Sequence, residues 1–154
     1  MPVEIERKFL LADGSWRDVA GRGVRMSQGY LSKQHGRTVR VRVAGEQAWL
    51  TIKGASEGIS RAEFEYPLPV DEAVQLLELC EPSVIDKTRY EIPFGGHVWE
   101  VDVFHGENEG LVVAEIELAD ENERFEMPPW VGAEVSDDRR YANSVLSVTP
   151  FRDW

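Results

Sequence analysis

Glu4-Ile5-Glu6-Arg7-Lys8-Phe9 sets charged and bulky apolar residues in alternation. In an extended strand successive side chains point to opposite faces. Glu4, Glu6 and Lys8 therefore share one face, and Ile5 and Phe9 share the other with Arg7. The same period of two recurs along the chain. Arg40 and Arg42 alternate with Val39, Val41 and Val43, and Thr51 and Lys53 with Leu50 and Ile52. Glu63 and Glu65 alternate with Phe64 and Tyr66, and Lys87, Arg89 and Glu91 with Thr88, Tyr90 and Ile92. Glu100 and Asp102 oppose Val101 and Val103; Glu115 and Glu117 oppose Ala114, Ile116 and Leu118.

This periodicity predicts eight strands: Val3–Leu10, Val24–Ser32, Arg37–Ala44, Gln47–Lys53, Ser60–Pro67, Ile85–Phe94, His97–Phe104 and Leu111–Ala119. Gly45-Glu46 separates the third and fourth. Gly95-Gly96 separates the sixth and seventh, and suits a two-residue hairpin because both residues can take positive φ. Helical patterning is sparse. It covers Asp71–Leu79, which Pro82 follows, then Arg139–Val148, and a short turn at Ser15–Val19. Antiparallel strands with few helices predict a mainly β, closed eight-stranded barrel, since closure removes exposed edges. The 154 residues carry no repeat or linker and read as a single domain.

The net charge of −11 argues against a nucleic-acid coat or a membrane-surface protein, both of which use basic surfaces. One cysteine, Cys80, excludes an internal disulfide and lies in an apolar stretch, as a small core residue would. No long apolar run suggests a membrane span or leader, and the expectation is a cytoplasmic protein.

A solvated sheet face would account for any one of these charge pairs. Taken together, the strands are too strictly two-faced. A barrel can turn the charged face inward and cover the outer apolar face with helices and a partner subunit. The charges are also sorted by strand: Arg40/Arg42 and Lys87/Arg89 are basic, whereas Glu4/Glu6, Glu63/Glu65, Glu100/Asp102 and Glu115/Glu117 are acidic. Carboxylate pairs can share Mg²⁺ or Mn²⁺, and basic pairs can hold a polyanion. A tunnel with both suits a metal-bound polyphosphate.

Glu4-Ile5-Glu6-Arg7-Lys8 resembles the N-terminal ExExK signature of the CYTH superfamily, the triphosphate tunnel metalloenzymes. Gln28-Gly29-Tyr30-Leu31, Thr38–Arg42, Leu50–Gly54, Arg61–Glu65, Lys87–Tyr90, Glu100–Asp102, Glu115–Glu117 and Asp138–Asn143 resemble successive family motifs, the last opening a C-terminal helix that closes one tunnel end. The resemblance implies an eight-stranded tunnel that binds triphosphate with a divalent metal, most like the small bacterial enzymes acting on inorganic triphosphate. It implies Glu4, Glu6, Glu115 and Glu117, with Asp102 nearby, as ligands of Mg²⁺ or Mn²⁺. Lys8, Arg40, Arg42, Lys53, Lys87 and Arg89 would bind phosphate, joined by Arg139 or Arg140. Glu63 and Glu65 would support a second metal or orient water, and Tyr30, under the influence of Lys87, would contact the water or terminal phosphate. A homodimer is plausible on the same ground.

Other conspicuous residues read as structural. Glu91 and Glu100 suit ion pairs as well as ligand roles; His35, His97 and His105 fall at turns; the five tryptophans show no stacking period; Asp120–Glu126 reads as a solvated loop. An adenylate cyclase or thiamine triphosphatase on the same scaffold is the nearest alternative, but no base-recognition motif is present. A non-catalytic polyphosphate sensor could dispense with the acidic pairs, which are all retained. An apolar-ligand barrel would need an apolar inner face.

Overall fold

The protein is described from a computed structural model covering residues 2–80 and 82–154. Its strands are β1 (Val3–Leu11), β2 (Val24–Ser32), β3 (Thr38–Ala44), β4 (Gln47–Lys53), β5 (Ser60–Leu68), β6 (Ile85–Phe94), β7 (His97–Phe104), β8 (Val112–Glu117) and β9 (Val131–Glu134). The sheet order is β5-β4-β3-β2-β6-β7-β8-β1-β9, with every pairing antiparallel. A further pairing of β1 with β5, Val3↔Ala62 to Ile5↔Ser60, closes the eight-stranded barrel. Beyond Ile5, β1 turns its free edge to β9, pairing Phe9 with Glu134. The ninth strand was not expected from the sequence. It covers the edge that β5 leaves unpaired. The β6–β7 hairpin turns on Gly95 (φ 58°) and Gly96 (φ 80°), as the Gly-Gly pair predicts.

Much of the barrel's outer face is covered by its own chain. Trp99, fully buried on β7, packs against Phe9, Phe125 and Trp130 with ring centroids 5.5, 5.8 and 5.9 Å away. Trp16 and Trp130 come from connecting segments and seal the outer face of β1, β6, β7 and β8. Helix α1 (Val70–Leu77) covers β3 and β4, where Ala73 meets Val41 and Ala48. Past its end, Cys80 lies so close to β2 that a Cβ on Gly29 would stand 2.6 Å from the Cys80 Cβ. Cys80 is thus the core residue its setting suggested. Ile52, Phe64 and Tyr66 remain exposed on the outer face of β4 and β5.

The C-terminal segment closes the inner side. Leu10, Ile85, Phe104 and Val113 form an apolar patch among the inward-facing positions of four strands, and Leu111 joins them. Tyr141, Leu146 and Phe151 pack onto it and plug one end of the barrel. The expected helix over Arg139–Val148 is instead a 3-10 turn at Arg139–Tyr141 followed by α2 (Asn143–Leu146). Ala142 breaks it by taking extended backbone (φ −67°, ψ 133°). Among the described residues, no helix is long and apolar enough to cross a membrane.

Leu146 is fully buried at the centre of the plug. Leu146→Ala is expected to lower stability by about 2–5 kcal/mol in urea denaturation. A loss below about 1 kcal/mol would show that the segment does not seal the barrel end.

Candidate active site

Period-two strands in a closed barrel send every second side chain inward. The inward positions here are the charged ones: Glu4, Glu6 and Lys8 on β1, Arg40 and Arg42 on β3, Lys53 on β4, and Arg61, Glu63 and Glu65 on β5. Lys87 and Arg89 of β6, Glu100 of β7, and Glu115 and Glu117 of β8 complete the wall. With Tyr30, Lys33 and parts of the 135–149 segment they line a cavity of about 1030 Å³. Nine of the chain's 17 Lys/Arg and nine of its 28 acids line it. The cavity is formally balanced, and the net −11 belongs to the remainder of the chain. An acidic protein thereby carries a cation-rich interior.

Most of the lining cations are held by a carboxylate or another oxygen acceptor. Lys53 Nζ lies 2.9 Å from both Glu4 carboxylate oxygens and 3.3 Å from Glu63. Arg61 adds a contact to Glu4 at 3.4 Å. Lys8 lies 3.4 Å from Glu115 and donates to the Tyr141 carbonyl at 3.1 Å. Arg40 donates to Thr51 Oγ1 at 3.2 Å, and that hydroxyl donates to Glu65 at 3.1 Å. Arg89 grips Asp102 with Nε at 2.8 Å and Nη2 at 2.9 Å, and reaches Glu100 at 3.1 Å and Glu115 at 3.6 Å. Lys87 Nζ lies 2.8 Å from Asp102; both residues are 1% exposed.

These contacts set the titration. Burial alone would raise the Asp102 carboxyl; Arg89 and Lys87 overcome it and hold it far below the carboxylate range. Burial, with Arg89 and Arg42 nearby, pushes the Lys87 ammonium down to about 7 despite Asp102. Burial, with Arg40 and Arg89, brings Arg42 down to about 10. Burial opposes ionisation of Glu115, but Lys8 and Arg89 bring it to about 2. Glu6 differs. Burial, with Glu115 and Glu4 beside it, pushes its carboxyl up to about 7. Glu117 is raised by burial, Glu4 and Glu6. Within the Glu4/Glu6/Glu115/Glu117 corner, Glu6 and Glu117 are therefore the acids whose charge is least offset.

Most sequence-predicted site residues share this one cavity, with two departures. Asp102 sits behind the lining, with both oxygens taken up by Lys87 and Arg89, rather than beside the other acids. Arg140 points out of the cavity: its guanidinium pairs with Asp138 at 2.7 Å and lies over the Trp154 ring, while Arg139 lines the cavity. Among the described residues, no three His, Cys, Asp or Glu side chains are drawn together at metal-binding distances. Glu4 and Glu115 are instead turned to the cations named above. The cation over the Tyr30 ring is Lys33, at 5.7 Å, rather than Lys87. Glu91 is exposed and off the lining, and Glu100 both lines the cavity and pairs with Arg89. His97 bonds to Glu123, and Phe125 packs on Trp99, so Asp120–Glu126 is partly anchored.

Sequence reasoning passed over Lys33, Arg61, Thr51 and Asn143 as site residues. Arg61 was detectable, since it shares a face with Glu63 and Glu65. Thr51 and Asn143 are neutral and carry no charge pattern. Lys33 lies just beyond β2, where alternation ends.

Comparison with known proteins agrees with this geometry. Residues 2–149 match the CYTH domain family. The chain is 50% identical over 155 residues to an inorganic triphosphatase of Acetivibrio thermocellus, covering 100% of this chain and 99% of that protein. It is 36% identical over 152 residues to an inorganic triphosphatase of Nitrosomonas europaea, covering 96% and 98%. The crystal structure of an inorganic triphosphatase superposes with a TM-score of 0.65 at 33% identity, covering 94% of this chain and 97% of that one. A putative adenylate cyclase of Bacillus halodurans, at 18% identity, a TM-score of 0.61 and coverage of 79% and 84%, shares the fold. The chain belongs to the CYTH domain family.

Proposed function

We propose that this protein is a divalent-metal-dependent triphosphatase that hydrolyses inorganic triphosphate to diphosphate and phosphate. The observation that carries this reading is the cavity wall: nine cations face nine carboxylates inside one closed barrel. Among the described residues, Tyr30 is the only aromatic one that lines it, and a single ring is a poor platform for a nucleobase. That favours a bare polyphosphate over a nucleotide.

Arg40, Arg42, Lys53, Lys87 and Arg89, with Lys8 and Arg139 at the plugged end, bind the phosphate oxygens. Arg does so through its planar fork and Lys as a point charge. Water attacks the terminal phosphorus, the bond to the bridging oxygen breaks, and diphosphate leaves. Such transfers depend mainly on positioning and electrostatic stabilisation. Glu63 and Glu65 orient the water, and Tyr30 contacts it or the terminal phosphate. Glu100 and Asp102 keep Arg89 aligned.

The acidic corner fits a hard divalent cation. Its donors are all carboxylate oxygens, and Glu6 is raised by burial and by Glu115 and Glu4 beside it, charge that a cation would offset. Glu4, Glu6, Glu115 and Glu117 would hold Mg²⁺ or Mn²⁺. Bound there, the ion neutralises charge that develops on the phosphate oxygens. Asp102, already bound by two cations, acts by orienting Lys87 and Arg89.

Phosphate release from inorganic triphosphate should require Mg²⁺ or Mn²⁺ and exceed release from ATP or thiamine triphosphate. Glu4→Gln/Glu6→Gln should lower that rate by ~10²-fold or more. Equal rates with EDTA would contradict the metal assignment, and no release from any substrate would contradict the hydrolase.

Glu6 also gives a pH dependence without metal. Its folded value, about 7, lies above its ordinary 4.5, so ionisation opposes folding: the penalty is absent below that ordinary value, grows between the two, and is complete above the upper one. In EDTA, Glu6→Gln should raise Tm by about 3–8 °C at about pH 8 and leave it unchanged at about pH 4. An equal shift at both pH values, read by circular dichroism, would refute the assignment.

A further inference from the structure

Two neutral amides inside the charged wall have no part in the mechanism above. Gln28, fully buried on β2, accepts from Arg42 Nε through Oε1 at 2.8 Å. Its Nε2 donates to Asn143 Oδ1 at 3.0 Å. Lys87 Nζ donates to the same Oδ1, also at 3.0 Å. Arg42 Nε and the Lys87 ammonium can only donate. They therefore fix both amides: Gln28 must turn its oxygen to Arg42, and Asn143 its oxygen to Lys87. Asn143 lines the cavity and belongs to α2, in the C-terminal plug.

Arg42 and Lys87 project from β3 and β6, the strands on either side of β2. They are like charges set close together, and Arg42 helps burial to depress Lys87, so they need fixed partners to stand together. Asp102 supplies charge to Lys87 but also serves Arg89. Asn143 supplies direction. Long cationic side chains have many rotamers, and a fixed acceptor removes that freedom before a ligand arrives.

We infer that Asn143 is a positioning residue for triphosphate: it orients Lys87 directly and Arg42 through Gln28, so the phosphate site is complete only when the C-terminal segment is seated. This rests on the proposed triphosphate-binding function. The residues that touch substrate are Arg42 and Lys87; Asn143 and Gln28 act through them.

The test compares wild type, Asn143→Ala, Gln28→Met and the double variant. Titration calorimetry with inorganic triphosphate in EDTA gives Kd without turnover, kinetics with Mg²⁺ give KM and kcat, and thermal melts report folding. Asn143→Ala is expected to weaken Kd and raise KM by ~10-fold, with Tm within about 3 °C of wild type. The double variant should be no weaker than the weaker single, because one relay is cut once or twice. If Gln28→Met does not fold, Asn143→Ser carries the same expectation as Asn143→Ala. Kd and KM within twofold of wild type in the Asn143 variants, or fully additive losses in the double, would overturn the inference. So would a fall in Tm and kcat at unchanged KM, the mark of a merely structural residue. Wild type that binds triphosphate without hydrolysing it would refute the hydrolase and leave this comparison of Kd intact; wild type that does not bind it would refute both.

Discussion

A closed barrel lined with charge is stable only if each buried cation finds an acceptor inside the wall. Taking an ion out of water costs several kcal/mol unless a partner replaces the solvent. Here the wall answers with interlocked pairs between strands: Lys53 with Glu4, Lys8 with Glu115, Lys87 and Arg89 with Asp102. The Lys53–Glu4 pair depends on barrel closure. Glu4 reaches Lys53 and Arg61 because the Val3–Ile5 end of β1 pairs with β5 and completes the ring. The same pairs describe a site ready for a polyanion. A triphosphate can take over the cations, and a divalent ion the carboxylates so released.

The exterior follows from this inversion. With the inner face charged, the apolar alternate residues must be covered from outside. The connecting segments supply Trp16, Phe125 and Trp130, and α1 supplies Ala73 and its apolar neighbours. At the plugged end the inner face turns apolar, and Leu146 and Tyr141 pack there. The C-terminal segment is thus fastened in two ways, by the apolar plug and by polar bonds from Lys8, Lys33 and Lys87.

Much of this was legible in the sequence because strand alternation is a local signal and charge marks the inward face unambiguously. All eight barrel strands and the sharing of one cavity by Glu4, Arg40, Lys53, Lys87 and Glu115 follow from it. The shortfalls have physical causes. Strand β9 is four residues long and contains Gly132, too short to show a period. The C-terminal helix was over-read because apolar spacing in Tyr141–Val148 does not reveal the extended backbone at Ala142. That Trp16 and Trp130 cover part of the outer face was not legible, because tryptophans in connecting segments carry no period to show that they fold back. Asp102 and Glu115 are both inward acids in sequence, yet only the register that sets Asp102 opposite Arg89 shows it to be fully occupied. Gln28 and Asn143, being uncharged, left no mark in the charge pattern.

The central claim is that the inward ion pairs are the ligand-free form of a triphosphate site. A crystal structure with inorganic triphosphate and Mg²⁺ tests it most directly. The account predicts phosphate oxygens bonded to Arg40, Arg42, Lys53, Lys87 and Arg89, with Lys53 released from Glu4 and the ion on Glu4, Glu6 and Glu115. Triphosphate bound outside the barrel, with the Lys53–Glu4 and Lys8–Glu115 pairs intact, would contradict it.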